Sequence, residues 1–192
     1  KGNKVTFRVN ARQAMQLDTI GAHNIYNALA AIACARIFGL GYALIARRLE
    51  RFRFPAGRLK LRTVQKTRFI DDTYNASPAS MRQALYALDD YQTKGAKVAV
   101  IGDMLELGAH QARFHAEAGR HAARVCDTLI SVGTLAREAA AAARKKGFDS
   151  RHLFTCASSQ EARALLKRLD IQPDDVVLVK GSRRMHMEKI FE

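Results

Sequence analysis

Short apolar runs, separated by longer amphipathic segments, restrict the fold of this chain more than any other feature. Three of these runs, at residues 98–101, 129–132 and 176–179, are almost continuously apolar. Strands of this composition are typically covered on both faces. Strands that alternate with helices build right-handed βαβ units and a mostly parallel sheet. The sequence therefore predicts an α/β fold with a doubly wound, mostly parallel sheet.

The same periodicities predict where the elements lie. Ahead of the sheet we expect a strand at 4–9 and helices at 25–38 and 42–51. The inner face of the first helix should carry Ile25, Leu29, Ile32 and Ala33. Strands are expected at 59–64, 67–71, 97–101, 128–132, 152–156 and 176–179, with a hairpin turn at Gln65-Lys66 between the first two. Helices are expected at 78–91, 110–125, 134–146 and 158–169, with a short last helix near 184–190.

Pro55 and Gly57 interrupt the pattern between the second helix and the hairpin. Proline and glycine are strong breaks in regular structure, so we place a domain boundary near residue 56. The expected domains are therefore 1–56 and 57–192. The chain starts without Met and within a predicted strand, and we expect it to be a fragment of a longer protein.

Small or charged residues follow several of the predicted strands. They are Asp71-Asp72, Gly102-Asp103, Gly133-Thr134 and Lys180-Gly-Ser-Arg183. The carboxyl ends of parallel strands meet at one edge of a sheet, which is where open α/β sheets bind ligands. One such turn is weak evidence, but four together indicate a binding site.

The stretch 69–81 has the most polar of these turns. A short strand delivers Asp71 and Asp72, Tyr74 and Asn75 follow, and Ser77-Pro78 has the composition of a helix start. Considered alone, the two carboxylates fit a ligand site and a solvated turn equally well.

The charge of the chain is +14 and very uneven, because residues 1–70 contain 14 Lys or Arg and only 2 Asp or Glu. Such an excess fits small anionic ligands or a missing acidic neighbour. A nucleic-acid-binding module is less favoured, because the basic residues lack interleaved aromatics and a helix–turn–helix or zinc-finger pattern.

Other common sites are not indicated. The three cysteines are far apart and fit reduced, buried thiols. The spacing of Asp103, Glu106, His110 and His115 matches no standard metal-ligand set, which favours a strand–loop–helix connection with capping acids. The chain has no dinucleotide fingerprint, no Walker A loop and no apolar run long enough to span a membrane.

The motifs of this chain resemble those of the Mur ligases of bacterial cell-wall synthesis. The His-Asn-x-x-Asn element within 21–31 is shared across that family, whereas Asp-Asp-Thr-Tyr-Asn and Gly-Asp-Met-Leu-Glu-Leu-Gly resemble the branch that uses D-alanyl-D-alanine. The matching segments cover nearly the whole chain in the right order: 21–31, 55–58, 70–78, 98–108, 115–119, 179–183 and 187–188.

The resemblance implies that 57–192 is a Rossmann-like C-terminal Mur ligase domain, preceded by a helical remnant of the central ATPase domain. The phosphate-binding loop, the magnesium-binding Glu and His and a carbamylated lysine would lie outside this chain. We therefore expect no turnover by the isolated 192 residues.

The implied reaction is the ATP- and Mg²⁺-dependent addition of D-alanyl-D-alanine to UDP-N-acetylmuramoyl-tripeptide through an acyl phosphate. The resemblance also implies a cytoplasmic monomer that neither binds nucleic acid nor enters a membrane. Another Mur ligase or folylpolyglutamate synthase is the alternative, and a basic nucleic-acid-binding module is a distant one.

The resemblance assigns no catalytic or metal-binding residue to this chain. It implies that ATP contacts His23, Asn24, Asn27, Arg58 and Asp72. Substrate contacts are expected from Tyr74, Asn75, Ser77, Lys180, Ser182 and Arg183. Before the resemblance is considered, a helix cap is the favoured role of Asn24. Arg58 equally fits a solvated linker residue, and 180–183 equally fits a structural strand end.

Overall fold

The computed structural model describes residues 4–192. Contacts divide the chain into a first unit that ends at Pro55 and a second unit, Ala56–Glu192. The first unit contains an antiparallel hairpin of β1 (Lys4–Val9) and β2 (Gln13–Asp18), followed by α1 (Asn24–Ile37) and α2 (Tyr42–Arg51).

Strand β2 was not predicted from the sequence. Its residues, Gln-Ala-Met-Gln-Leu-Asp, have little β-branched or aromatic content, which is the usual local sign of a strand. Pairing with β1 and burial of Met15 and Leu17 on one face outweigh that weak preference.

The predicted inner face of α1 is wrong in part. Ile32 is buried and packs with Met15 and Ile45, but Leu29 is 39% exposed and Ala33 is also exposed. Asn24 and Ala28 are buried instead. Because α1 has apolar residues on nearly all sides, its periodicity does not select one face.

The second unit is built on a six-stranded sheet, which confirms the predicted fold class. Its strands are β3 (Lys60–Val64), β4 (Thr67–Asp72), β5 (Lys97–Gly102), β6 (Thr128–Val132), β7 (Leu153–Cys156) and β8 (Val176–Lys180). The strand order is β3-β4-β8-β5-β6-β7, and β3 alone is antiparallel to its neighbour.

The helices of the second unit cover both faces of the sheet. They are α3 (Pro78–Asp90), α4 (Gln111–Val125), α5 (Arg137–Lys145) and α6 (Ser159–Arg168). The connections from β4 to β5, β6 and β7 advance across the sheet in one direction, whereas the connection from β7 to β8 runs back. Because such connections are right-handed, α6 lies on the opposite face of the sheet from α3, α4 and α5.

The chain ends differently from the prediction. In place of a short α-helix near 184–190, two 3₁₀ turns lie at Arg183–Met185 and Met187–Phe191. His186 between them is left-handed, with φ of 48°, and a left-handed residue cannot continue a right-handed helix. Within residues 4–192, no helix has the length and apolarity needed to cross a bilayer.

Helices α4 and α5 meet at Gly119, and this contact generates a test of the packing. A Cβ on Gly119 would overlap the carbonyl oxygen of Ala139, which is backbone and cannot turn away. We expect Gly119→Ala to lower the free energy of unfolding by about 1–3 kcal/mol in urea denaturation.

Glu117→Ala is the matched control in the same helix. Glu117 forms only an exposed pair with Arg113, and its loss should cost no more than about 1 kcal/mol. Equal stability of Gly119→Ala and the wild type would show that the two helices are not in close contact.

Candidate functional site

Three segments lie at neighbouring strand ends at one edge of the sheet: 71–77 at the end of β4, 180–188 at the end of β8 and 103–110 after β5. Strand β8 comes last in the sequence but lies between β4 and β5. In the ladders, Asp72 is opposite Lys180, and Lys180 is opposite Ile101. The strand order therefore gathers most of the sequence-predicted residues of the second unit at one edge.

A buried ion pair lies at the centre of this edge. The ammonium of Lys180 is 2.6 Å from Oδ2 of Asp72 and donates to the carbonyl oxygen of Asn75 at 2.9 Å. The amide of Leu59 donates to the other oxygen of Asp72 at 3.1 Å. Lys180 is only 1% exposed, so its ammonium stabilises the folded edge of the sheet and is not accessible to a substrate anion.

Burial lowers the pKa of Lys180, and the Asp72 carboxylate acts in the opposite direction. The ammonium form is favoured by charge and two hydrogen bonds, while desolvation disfavours it. The position of this lysine therefore depends on keeping the Asp72 carboxylate beside it.

Asp71, which has no separate role predicted from the sequence, is a structural residue. It is 2% exposed and accepts from the amide and hydroxyl of Thr73 at 3.3 and 2.7 Å. Its other oxygen is 3.4 Å from the Arg62 guanidinium. The two adjacent carboxylates thus fix different parts of the turn.

Arg58 is held over an aromatic ring at the same turn. Its guanidinium carbon lies 4.3 Å from the ring centre of Tyr74, which is 48% exposed. The amide of Tyr74 donates to the carbonyl of Gly57 at 3.0 Å. Gly57 has φ of +75°, and a Cβ there would stand 2.8 Å from the Tyr74 nitrogen, so only glycine fits. Arg58 is exposed and can reach an anion.

Asn75 and Ser77 form the entry to α3. The side-chain oxygen of Asn75 accepts from Ala76 at 2.9 Å, and its carbonyl binds Lys180. Ser77 caps the helix through a box with Ser80, as the Ser-Pro sequence predicts. Both residues are exposed at the edge.

The segment 103–110 is anchored by buried polar groups. Asp103 accepts from the amide of Ala136 at 2.7 Å. His115 accepts from the amide of Met104 through Nε2 at 2.8 Å, so Nδ1 carries the proton and donates to the carbonyl of Gln111 at 2.7 Å. These roles were missed, since Ala136 is 33 residues from Asp103.

Ser182 and Arg183 differ in their surroundings. Ser182 is buried, accepts from the amide of Leu105 at 2.8 Å and donates its own amide to the Asp103 carbonyl at 2.9 Å. Arg183 is exposed and pairs with Glu188 at 3.1 Å. Ser182 therefore binds protein atoms, and Arg183 is the accessible member of the two.

Residues His23, Asn24 and Asn27 lie in the first unit, where α1 begins. The cap position belongs to His23, not to Asn24, so the cap interpretation of Asn24 is wrong. Asn24 is 5% exposed, donates to Thr19 at 2.9 Å and accepts from the exposed Asn27 at 3.1 Å. Asn24 thus orients Asn27.

The Lys180–Asp72 pair gives a quantitative test. Lys180→Met leaves a carboxylate without its buried cation, and we expect a loss of about 3–5 kcal/mol in the free energy of unfolding. Adding Asp72→Asn removes that charge but keeps an oxygen for Leu59, so the double variant should be more stable than Lys180→Met alone. Urea denaturation measures all three.

The control is Lys60→Met, which removes an exposed cation and should change stability by no more than about 0.5 kcal/mol. If Lys180→Met behaved like this control, the ion pair would not stabilise the edge.

Comparison with known proteins gives the family of the chain. A family model described as "Mur ligase, glutamate ligase domain" matches residues 57–183. The UDP-N-acetylmuramoyl-tripeptide–D-alanyl-D-alanine ligase of Bacillus subtilis is 33% identical over 92% of the chain and 38% of its own length. The enzyme of that name from Treponema pallidum is 38% identical over 88% of the chain and 36% of its own length.

Among solved structures, MurF from Acinetobacter baumannii superimposes with a TM-score of 0.81 at 36% identity, covering 93% of this chain and 39% of that one. The chain thus spans less than two fifths of the length of these relatives. The family model covers most of the second unit and more than half of the whole chain. The chain therefore belongs to the Mur ligase family.

Proposed function

We propose that this chain is the C-terminal part of an ATP-dependent ligase that adds D-alanyl-D-alanine to UDP-N-acetylmuramoyl-tripeptide. The main support is that relatives with that printed name match 88–92% of the chain at 33–38% identity. Residues 1–56 would be the end of the central ATP-binding domain, and 57–192 the C-terminal domain.

The proposed reaction has two steps. The tripeptide carboxylate attacks the γ-phosphorus of ATP, which releases ADP and leaves an acyl phosphate. The amine of D-alanyl-D-alanine, after its ammonium has lost a proton, then attacks the carbonyl carbon. A C–N bond forms as the C–O bond to phosphate breaks, phosphate departs, and a second proton leaves the nitrogen. Catalysis of phosphoryl transfer depends chiefly on positioning and charge stabilisation, which residues of this chain can supply.

ATP in such a reaction carries Mg²⁺, but the three buried acids of the sheet edge are already bound by protein groups. Within residues 4–192 there is no group of three His, Cys, Asp or Glu side chains placed to hold a metal. Asp71, Asp72 and Asp103 are each engaged by protein donors. We therefore assign no magnesium ligand to this chain.

In the second unit, we assign Arg58 to a phosphate of the nucleotide. A guanidinium binds phosphate oxygens through two parallel N–H donors, and stacking on Tyr74 limits its motion before binding. Asp72 is assigned to the ribose hydroxyls. Each oxygen of Asp72 accepts one hydrogen bond from a protein donor. A carboxylate can accept about four hydrogen bonds in all, so Asp72 can still accept from the ribose hydroxyls.

In the first unit, we assign Asn27 to the edge of adenine, because its exposed amide offers a donor and an acceptor. Asn24 acts by orienting Asn27. The exposed Asn75 and Arg183 are assigned to the acceptor substrates, whereas Lys180 and Ser182 act by positioning the turns.

The full-length protein that contains this chain provides the direct test. With ATP, Mg²⁺ and UDP-N-acetylmuramoyl-tripeptide, we expect ADP release and amide formation with D-alanyl-D-alanine, and none with diaminopimelate or glutamate, measured by coupled ADP assay and mass spectrometry. The isolated 192 residues should give no product. Preference for diaminopimelate or glutamate would assign the chain to another ligase of the superfamily and overturn the proposal.

The phosphate role of Arg58 is tested by Arg58→Ala in the full-length protein. A hydrogen bond to a charged group contributes about 1.5–3 kcal/mol, so the KM for ATP should rise about 10- to 100-fold in steady-state kinetics. Lys60→Ala is the matched control, because it removes an exposed cation two residues away. Equal KM values for the two variants would contradict the assignment.

A further inference from the structure

Glu106 has an unusual backbone conformation for its residue type. Its φ is +66°, in the left-handed region, and its side chain is exposed at the edge of the sheet. Residues other than glycine adopt this region only when their surroundings fix it, and such residues are enriched at functional sites.

The surroundings of Glu106 do fix it. The amide of Leu105 donates to Oγ of Ser182 at 2.8 Å, and the amide of Met104 donates to Nε2 of His115 at 2.8 Å. Met104 itself is 1% exposed. These buried contacts hold the backbone before Glu106, whose side chain is exposed. The carboxylate is thus presented from a rigid support.

The charge balance of the edge distinguishes Glu106 from the other acids there. Asp71 is bound by Thr73 and Arg62, Asp72 by Lys180 and Leu59, Asp103 by Ala136, and Glu188 by Arg183. The described segments at the ends of β4, β8 and β5 are 71–77, 180–188 and 103–110. Among the carboxylates of these segments, Glu106 alone has no hydrogen-bond or ion-pair partner. Its negative charge is available to a ligand.

The flanking residues suit a small ligand with an apolar part. Leu105 and Leu107 are half-buried on either side of Glu106. The amino end of D-alanyl-D-alanine consists of an ammonium and a methyl group on the same carbon. A carboxylate between two leucines matches both groups.

We propose that Glu106 binds the ammonium group of D-alanyl-D-alanine and holds the attacking nitrogen at the edge of the sheet. This inference rests on the proposed function. It gives Glu106 a role in selecting an acceptor with a charged amino group, separate from the nucleotide contacts of Arg58 and Asp72.

The test uses Glu106→Gln and Glu106→Gly in the full-length protein. Both should raise the KM for D-alanyl-D-alanine at least tenfold and leave the KM for ATP within twofold. Glu106→Gly also removes the strain of the left-handed conformation, so its melting temperature should be no lower than that of the wild type. This variant therefore separates loss of binding from loss of folding. Glu138→Gln is the matched control, an exposed carboxylate beyond the next strand, β6.

A second measurement compares two dipeptide analogues as competitive inhibitors of ligation. One carries the ammonium group of the dipeptide, and the other, D-lactyl-D-alanine, carries a hydroxyl in its place. The wild type should bind an ammonium-bearing dipeptide at least tenfold more tightly, and Glu106→Gln should reduce that preference to within threefold. Normal ligation with an unchanged preference in the variant would overturn this inference alone. Absence of D-alanyl-D-alanine ligation by the wild type would overturn the proposed function and this inference with it.

Discussion

The ion pair between Lys180 and Asp72 fixes the geometry of the whole sheet edge. It joins the ends of two parallel strands, and its two members bind the backbone at Leu59 and Asn75. Taking two charges out of water costs several kcal/mol each, so this pair is stable only because both charges also have backbone partners. Of the residues assigned to ligands, Asp72 and Asn75 are themselves among these anchors, and Arg58 is next to Leu59.

Arg58 illustrates this dependence. The residue before it, Gly57, is bonded to Tyr74, and the residue after it, Leu59, is bonded to Asp72. Arg58 is therefore held on both sides while its guanidinium rests on the Tyr74 ring. A cation positioned in this way loses less conformational freedom on meeting a phosphate than a mobile surface arginine does.

The sequence predicted the sheet well because its evidence is local. Apolar runs locate β5, β6 and β8 within about one residue, and the Ser77-Pro78 start of α3 is set by capping chemistry. Properties that depend on distant residues were not predictable. Strand β2 is stabilised by its pairing with β1, and the inner face of α1 is selected by Met15 and Ile45.

The same distinction applies to the site. Strand ends place Lys180, Ser182 and Asp72 at the ligand edge, but no local pattern shows whether a side chain there points outward or into the protein. Lys180 points inward because β8, the last strand, is inserted beside β4, which brings a carboxylate 108 residues away into contact. Once the buried acids have been matched with protein donors, Arg58 and Glu106 are among the exposed charged groups that remain at the described edge. An edge whose internal charges are already balanced can recognise a phosphate and an ammonium independently, because neither exposed group is needed to neutralise the other.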